Sequence, residues 1–155
     1  MDTVQLRAYR DTDLDELIDI VRIHLEDDVV RYIGPWARSD AMLRQDIPDA
    51  RDSIHVLDDG GVIIGFVWVE AGDRYLGLEE IHVIDSARGQ GWGRYLMEFV
   101  HQEARRLGCS GVRLTVFEER PELHFYQHLD YVIVGENRCR GQVQLQRNID
   151  SDNHD

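Results

Sequence analysis

The residues best placed to do chemistry form a glycine-rich turn between a predicted strand and a predicted helix. It consists of Arg88, Gly89, Gln90, Gly91, Trp92 and Gly93. Glycine permits backbone angles that other residues avoid and lets a ligand approach the main chain closely. N–H groups at a helix start are free to bind, and the helix dipole attracts negative charge. The turn therefore predicts an anion site, and phosphate is the natural anion.

Two common nucleotide-binding motifs do not fit this turn. A dinucleotide-binding fingerprint has Gly-x-Gly-x-x-Gly spacing in the first strand–helix–strand unit, whereas this turn follows at least four predicted strands and has another spacing. A P-loop ends in Gly-Lys-Ser/Thr, and the chain contains no lysine. For the glycines taken alone, a loop needed only for packing remains an alternative.

The residues around the turn resemble the GNAT superfamily of acetyltransferases. Glu79–Gly93 is similar to that family's central motif, in which a strand leads into Arg/Gln-x-x-Gly-x-Gly/Ala at the start of a long helix. Leu123–Tyr131 resembles the family's C-terminal Phe-Tyr-x-x-x-Gly-Phe segment. The order of the predicted elements agrees with the family over nearly the whole chain.

The resemblance implies an N-acetyltransferase that uses acetyl-CoA as co-substrate and no metal. Residues 88–93 would hold the CoA pyrophosphate through main-chain N–H groups. The strand Ile81-His82-Val83 would pair with the pantetheine arm where strands of the family splay apart, and a backbone N–H there would polarise the thioester carbonyl. Tyr126 falls on the tyrosine that protonates the departing CoA sulfur. An aromatic side chain packed beside Phe125 is the alternative for Tyr126.

The attacking amine must lose a proton, because a primary amine is mostly ammonium at neutral pH. Glu79 and Glu80 are the candidate bases, and adjacent strand residues face opposite sides unless a bulge rotates them. Leu78–Ile81 resembles a segment of polyamine acetyltransferases, which favours Glu79 as base through water and Glu80 as substrate anchor or alternate base. One or both could instead be surface carboxylates. His82 is a further candidate base whose place beside the pantetheine favours packing.

Two segments depart from the family pattern. The family often carries Asn-x-x-Ala ahead of the Phe-Tyr pair, and residues 118–123 contain neither that Asn nor that Ala. The Gly-Phe that usually follows the tyrosine is Asp130-Tyr131 here. These departures concern the second contact to the cofactor and leave the glycine turn intact. They give weight to a module of another class, which binds acyl-CoA without catalysis.

The chain is strongly acidic, with 30 Asp and Glu against 17 Arg and a net charge of −13. This charge disfavours nucleic acid and anionic membranes as partners. An acidic, lysine-free surface could reflect a high-salt or GC-rich source, or some of the acids could attract a cationic substrate. Local acids favour a small cationic amine, such as a polyamine or an aminoglycoside, as acceptor. A protein N-terminus or a lysine is the alternative acceptor.

Metal and disulfide sites are not expected. His124 and His128 are four residues apart on a predicted helix, but no third ligand is in register, so a surface pair is the better interpretation. Cys109 and Cys139 are far apart in sequence and are interpreted as small apolar thiols in or near the core.

Hydrophobic patterns predict the elements that position these residues. Strands are expected at Val4–Tyr9, Ser53–Leu57, Val62–Ala71, Leu76–Ile84, Val112–Phe117, Tyr131–Val134 and Gln142–Ile149. Helices are expected at Leu14–Leu25, Asp40–Gln45, from the glycine turn to Gly108, and at Glu122–Leu129. The predicted fold is therefore α/β: a GNAT-type mixed, mostly antiparallel central sheet of about seven strands, flanked by helices on both faces.

The length of 155 residues fits one domain. We expect an acetyltransferase domain over residues 1–149 and a polar tail over 150–155. No stretch approaches the ~18 apolar residues of a membrane span, and the start lacks a signal-peptide pattern, so a cytoplasmic location is expected. Members of the resembled family are commonly dimers, which makes a homodimer a further expectation.

Overall fold

The computed structural model describes residues 3–28, 39–117, 122–137, 139 and 141–149. Within them the strands are β1 (Val4–Ala8), β2 (Ile54–Asp59), β3 (Val62–Ala71), β4 (Tyr75–Val83), β5 (Gly111–Phe117), β6 (Val132–Asn137) and β7 (Gln142–Asn148). The described α-helices are α1 (Leu14–Asp28), α2 (Asp40–Asp49), α3 (Trp92–Arg106) and α4 (Glu122–His128). None of these helices is long and apolar enough to cross a membrane.

The described strands form one mixed sheet in the order β1-β2-β3-β4-β5-β7-β6. Antiparallel pairs join β1 to β2, β2 to β3, β5 to β7 and β7 to β6, whereas β4 and β5 are parallel. A parallel pair needs a crossover, and α3 supplies it between β4 and β5. The prediction of a mixed, mostly antiparallel sheet of seven strands flanked by helices is confirmed.

The chain divides into two compact units. Unit 1 comprises Met1–Trp68 and Glu80–Leu96, and unit 2 comprises Val69–Glu79 and Met97–Asp155. The hydrophobic core of unit 1 is formed by side chains from β1, α1, α2, β2 and β3 and from the segment after β1. They are Tyr9, Leu17, Ile18, Ile20, Val21, Leu43, Ile47, Ile54, Val56, Ile63, Phe66 and Trp68.

Arg7 ties the start of the first helical region of unit 1 to the sheet. Two of its guanidinium nitrogens donate to the two carboxylate oxygens of Asp13, each at 2.9 Å, and its Nε donates to Asp58 at 2.8 Å. Asp13 also accepts the backbone N–H of Arg10 at 2.8 Å. These bonds compensate the burial of Asp13, which is 4% exposed.

Gly65 fixes how closely β3 approaches β4 in unit 1. A Cβ added at Gly65 would lie 2.5 Å from the carbonyl oxygen of His82, a distance that no side chain could tolerate. Further along, the N–H of Ile84 donates to the carbonyl oxygen of Ile64 at 2.9 Å. The backbone around His82 is therefore held firmly against β3.

In unit 2, the parallel pairing of β4 with β5 is short. Tyr75–Gly77 pair with Gly111–Arg113, whereas β5 pairs with β7 along its full length to Phe117. The guanidinium of Arg113 lies 4.0 Å from the centre of the Tyr75 ring, which is a cation–π contact at this pairing. The backbone of β4 thus extends beyond the residues that pair with β5.

The helix α3 buries one continuous stripe of side chains. Its buried residues, Leu96, Met97, Val100, His101 and Ala104, follow helical spacing. Leu107, which follows the last residue of the helix, is 45% exposed. Gly108, the predicted end of the helix, has a φ of 73° and its N–H donates to the Arg105 carbonyl.

The helix α2 is longer than predicted. The sequence predicts Asp40–Gln45, and the helix runs to Asp49 with Pro48 inside it. Leu43 and Ile47 are both buried one helical turn apart, and this packing outweighs the single hydrogen bond that proline removes. Residues 29–38, residues 118–121 and the predicted polar tail 150–155 lie outside the described residues.

Candidate active site

The glycine turn connects the end of β4 to the start of α3. A short 3-10 helix, Asp85–Ala87, comes first, and α3 begins at Trp92. Gly89 and Gly91 have φ angles of 77° and 89°, in the left-handed region that side chains avoid. Gly93 lies inside α3. Two glycines therefore shape the turn, and the third belongs to the first turn of the helix.

The left-handed angles, and not crowding, account for these two glycines. A Cβ added at Gly89 or Gly91 would meet no atom within 4 Å. Backbone of this kind turns successive N–H groups toward one concavity, which is a recurrent anion site. The 15-residue helix α3 adds the N–H groups of its first turn and the positive end of its dipole. The residues of the turn therefore fit a phosphate group.

Arg88 anchors the turn to β4. Its Nε donates to the carbonyl oxygen of Val83 at 3.2 Å and lies 3.4 Å from a carboxylate oxygen of Asp85. The side chain is 52% exposed, so its charge remains accessible at the turn. Arg88 thus fixes the entry to the turn and adds positive potential beside it.

Glu80 and His82 form a close pair on one face of β4. Residues two apart on a strand share a face, and His82 Nε2 lies 2.6 Å from Glu80 Oε1. The side chains are 11% and 7% exposed, respectively. The His82 ring also stacks on Phe66, with ring centroids 5.1 Å apart. A carboxylate that orients an imidazole in this way is an arrangement that can take up a proton.

Glu79 is exposed and alternates with Glu80 along the strand. Its carboxylate lies over Gly77, where an added Cβ would be 3.2 Å from Oε2. The two acids therefore differ sharply in environment: Glu80 is enclosed beside an imidazole, and Glu79 is open to solvent.

Tyr126 lies in α4 and is 3% exposed. Its ring packs edge-on against Phe125 and Tyr131, with centroid distances of 5.1 Å and 5.7 Å. Burial raises the pKa of the Tyr126 phenol, and the neighbouring Tyr131 and Glu122 raise this pKa further. The hydroxyl therefore keeps its proton at neutral pH, which a proton donor requires.

The segment after Tyr126 keeps its turn despite the departure from the family pattern. Asp130, which replaces the usual glycine, has a φ of 70°. The N–H of Asp130 donates to the Gln127 carbonyl and the N–H of Tyr131 to the Tyr126 carbonyl, each at 3.1 Å. These two bonds form a Schellman motif, which ends α4. Aspartate can adopt this backbone conformation because it tolerates the left-handed region better than most residues.

A set of buried, hydrogen-bonded polar side chains in unit 2 was not predicted from the sequence. His101 is 4% exposed, and its Nε2 lies 2.9 Å from the hydroxyl of Tyr131. An Arg147 guanidinium nitrogen lies 3.3 Å from His101 Nδ1. The available signal was the position of His101 within the apolar stripe of α3, because a polar residue in a buried stripe needs hydrogen-bond partners.

The predicted site residues are distributed over both units. Unit 1 contains the glycine turn, Glu80 and Ile81–Val83, and unit 2 contains Glu79 and Tyr126. Among the described residues, no group of three or more His, Cys, Asp or Glu is arranged to hold a metal ion. On α4, His128 Nδ1 donates to the backbone carbonyl of His124 at 2.8 Å, so this pair makes a local helix contact.

A family model described as an acetyltransferase (GNAT) domain matches residues 50–133, more than half of the chain. The matched region contains the glycine turn and Glu79, Glu80 and Tyr126. Among curated proteins, none matches the chain significantly.

Several solved structures share the fold. Ard1 from Thermoplasma volcanium has a TM-score of 0.78 at 17% identity, over 96% of this chain and 99% of that one. PaiA N-acetyltransferase from Thermoplasma acidophilum, solved with coenzyme A, has a TM-score of 0.79 at 16% identity, over 94% and 98%. N-acetylglutamate synthase from Neisseria gonorrhoeae, solved with coenzyme A and N-acetyl-glutamate, has a TM-score of 0.78 at 16% identity. That match covers 95% of this chain and 35% of the synthase.

Proposed function

The chain belongs to the GNAT family of acetyltransferases, and we propose that it acetylates a primary amine of a small cationic molecule. The family establishes an acetyl-CoA-dependent N-acetyltransferase, and the class of acceptor is the proposal. One observation carries it: the carboxylate of Glu80, 11% exposed, lies on the strand that leads into the glycine turn. An enclosed carboxylate at that position favours a cationic acceptor over an anionic one.

The glycine turn is the proposed binding site of the CoA pyrophosphate. The left-handed angles of Gly89 and Gly91 and the N-terminus of α3 support this assignment. Turns and helix starts of this kind commonly direct several N–H donors toward one anion. The structures of PaiA N-acetyltransferase and N-acetylglutamate synthase, which share the fold, contain coenzyme A. Gln90, Trp92 and Gly93 complete the proposed turn.

The segment Ile81–Val83 is the proposed partner of the pantetheine arm. The parallel pairing of β4 covers Tyr75–Gly77, and the strand continues to Val83. Gly65 brings the β3 backbone close to the His82 carbonyl, so this part of β4 has a fixed shape. A fixed backbone N–H on such a strand can stabilise developing negative charge on a carbonyl oxygen without reorganisation.

Tyr126 is the proposed proton donor in the second half of the reaction. Bound acetyl-CoA supplies the acyl thioester, whose C–S bond breaks when the amine nitrogen bonds to the carbonyl carbon. Tyr126 then gives its hydroxyl proton to the thiolate sulfur as CoA departs. The phenol is protonated at neutral pH, as a donor must be, and because its raised pKa makes it a weak acid, this role depends on close alignment with the sulfur.

The sequence favours Glu79 as the base, but we propose the pair Glu80–His82 as the acceptor of the amine proton and keep Glu79 as the alternative. A carboxylate alone attracts an ammonium group but also favours its protonated form. The 2.6 Å contact between Glu80 and His82 supports the pair, because an oriented imidazole provides a second proton-accepting group beside the carboxylate. Glu79, exposed on the other side of β4, would act through water.

The charge of the chain supports a cationic acceptor over an acidic one. An acidic molecule, N-acetyl-glutamate, is bound in the structure of N-acetylglutamate synthase. The net charge is −13, and all 17 basic residues are arginines. A negative potential raises the local concentration of polyamine-like cations and repels dicarboxylates. A lysine or an N-terminus on a protein acceptor is distinguished from a small amine by the acceptor screen described below.

Conservative substitutions test these roles. We expect Glu80→Gln to lower kcat on the order of 100-fold with KM for acetyl-CoA unchanged, because a general base contributes about 10²–10⁴-fold. Glu79→Gln is the matched control on the adjacent residue and should have little effect. Tyr126→Phe should lower kcat and leave acetyl-CoA binding intact. Release of the CoA thiol measures each rate.

The pattern of losses identifies the base. If Glu79→Gln lowers kcat and Glu80→Gln does not, Glu79 is the base that accepts the amine proton. Full activity in both variants would contradict a carboxylate base on β4. CoA binding without turnover on any amine would favour the acyl-CoA-sensing module.

A further inference from the structure

A buried polar chain in unit 2 leads from an arginine to the tyrosine beside Tyr126. His101 on α3 and Tyr131 ahead of β6 are 4% and 2% exposed. Their contact, His101 Nε2 to the Tyr131 hydroxyl, is 2.9 Å, and the two rings stack with centroids 5.8 Å apart. Arg147 on β7 approaches the other nitrogen of His101. Each buried polar atom of the imidazole therefore has a partner.

Arg147 determines the tautomer of His101. A guanidinium carries only donors, so the 3.3 Å contact makes His101 Nδ1 the acceptor. Burial, together with the positive charges of Arg147 and Arg105, lowers the pKa of His101 to about 4, so the ring is neutral near pH 7. The single ring proton is then on Nε2, which donates to the Tyr131 hydroxyl oxygen. The chain of donors runs from Arg147 through His101 to Tyr131.

Tyr131 transmits this arrangement to Tyr126. The N–H of Tyr131 donates to the Tyr126 carbonyl at 3.1 Å, and the two rings meet edge-on with centroids 5.7 Å apart. Tyr131 is therefore held at its hydroxyl by His101 and contacts Tyr126 through both backbone and ring. A shift of the Tyr131 ring would move the ring against which Tyr126 packs.

We propose that Arg147 and His101 are positioning residues that act through Tyr131 to fix the orientation of the Tyr126 hydroxyl. This inference rests on the proposed role of Tyr126 as proton donor. The contribution of a positioned acid depends on its alignment with the accepting atom. The contacts from Arg147 through His101 to Tyr131 therefore affect the chemical step more than cofactor binding. Neither His101 nor Arg147 touches the substrate in this account.

The tautomer is tested without any activity measurement. Long-range ¹H–¹⁵N correlation at pH 7 should show His101 Nδ1 unprotonated and Nε2 protonated. Arg147→Met removes the donor to Nδ1 and should weaken this preference. An Nδ1–H tautomer or a doubly protonated ring in the unsubstituted protein would overturn the proposal.

Kinetics test the positioning role. Tyr131→Phe keeps the ring and removes the hydroxyl, and His101→Leu removes the donor. Each should lower kcat on the order of 10-fold with KM for acetyl-CoA unchanged, because misalignment affects the chemical step. The double variant of Tyr131→Phe and His101→Leu should lose no more kcat than either single variant, since both remove the same hydrogen bond. His101→Gln keeps an N–H near the position of Nε2 and should restore most of the activity.

Controls separate this proposal from the proposed function. Tyr9→Phe removes the hydroxyl of another tyrosine, 7% exposed in unit 1, and should leave kcat unchanged. An unchanged Tyr126→Phe would contradict the proton donor itself. If Tyr126→Phe lowers kcat but Tyr131→Phe and His101→Leu keep full activity, the positioning proposal is contradicted and the proton donor is not. If His101→Leu fails to fold, Tyr131→Phe and His101→Gln still decide, because full activity in Tyr131→Phe overturns the proposal.

Discussion

At the residue scale, Asp130 holds a backbone conformation that costs the folded state free energy. Its φ of 70° lies in the left-handed region, which costs a residue with a side chain roughly 1–2 kcal/mol. The Schellman bonds to Gln127 and Tyr126 keep the residue there because they satisfy the last carbonyls of α4. The same bonds connect the end of α4 to Tyr131.

We therefore expect Asp130→Gly to raise the free energy of unfolding by about 0.5–1 kcal/mol, since glycine adopts this conformation without strain but loses more entropy on folding. Urea denaturation measures the change. Gly108→Ala introduces the opposite change at φ 73° after α3 and should lower stability by a similar amount. A destabilised Asp130→Gly would mean that the aspartate side chain makes a contact worth more than the strain.

The two acids of β4 show what sequence could predict of the site. Alternation along a strand predicts that Glu79 and Glu80 differ in the side they face, and the structure agrees. Which acid is enclosed could not be predicted, because burial depends on distant residues. Phe66 from β3 stacks on His82, and His82 in turn holds Glu80. The assignment of catalytic roles to Glu79, Glu80 and Tyr126 stays a prediction.

At the element scale, the glycine turn and α3 form the proposed anion site. Gly91→Ala places a side chain at φ 89°, at a cost of roughly 1–2 kcal/mol if the angle is kept. Relaxing the angle rotates the neighbouring N–H groups away from the phosphate. We expect CoA affinity to fall on the order of 10-fold, measured by calorimetric titration.

The matched control for this prediction is Gly61→Ala, at φ 102° in the β2–β3 turn. It carries a similar backbone strain far along the chain from the glycine turn, so stability should fall while CoA affinity holds. Equal loss of affinity in both variants would mean that general destabilisation, and not the geometry of the turn, explains the effect.

Most elements were predictable from local patterns. Period-2 and helical spacing placed the seven strands and four helices, and glycine or capping residues gave several of their ends. The strand order was not predictable, because the insertion of β7 between β5 and β6 depends on pairings distant in sequence. The predicted end of α2 at Gln45 was too early, because the helix continues through Pro48 to Asp49 and buries Ile47.

At the scale of the whole molecule, His101 links stability to pH. Its pKa is lowered from 6.5 to about 4, first by burial and then by Arg147 and Arg105. Between these pH values the unfolded chain binds a proton that the folded chain does not, so stability is complete above about pH 6.5 and falls as the pH drops toward 4. The urea concentration at the unfolding midpoint should therefore fall between pH 6.5 and 4. In His101→Gln it should change less with pH over the same range.

A second pH effect lies in a separate, more acidic range. Burial raises the pKa of Asp13, but hydrogen bonds from Arg7 and the Arg10 N–H outweigh it and hold the pKa below 3.8. Arg7 and the N–H of Gly61 likewise lower the pKa of Asp58. Their stabilisation is present above the ordinary carboxyl pKa and is lost as the pH falls through the lowered values. An unchanged slope between pH 6.5 and 4 in His101→Gln would therefore contradict the His101 assignment.

The net charge of −13 is the whole-molecule property that bears on the acceptor. The homodimer and the cytoplasmic location stay predictions. Residues 29–38, between α1 and α2, lie outside the described part of the chain.

The most direct test is a screen of amine acceptors with acetyl-CoA, following release of the CoA thiol. The panel contains polyamines and aminoglycosides, neutral primary amines, acidic amino acids, and peptides with a free N-terminus or a lysine. We predict the highest kcat/KM for small molecules with two or more positive charges, about tenfold or more above neutral amines, because negative potential concentrates cations. Acetylation confined to peptides or acidic amino acids would contradict the proposed acceptor.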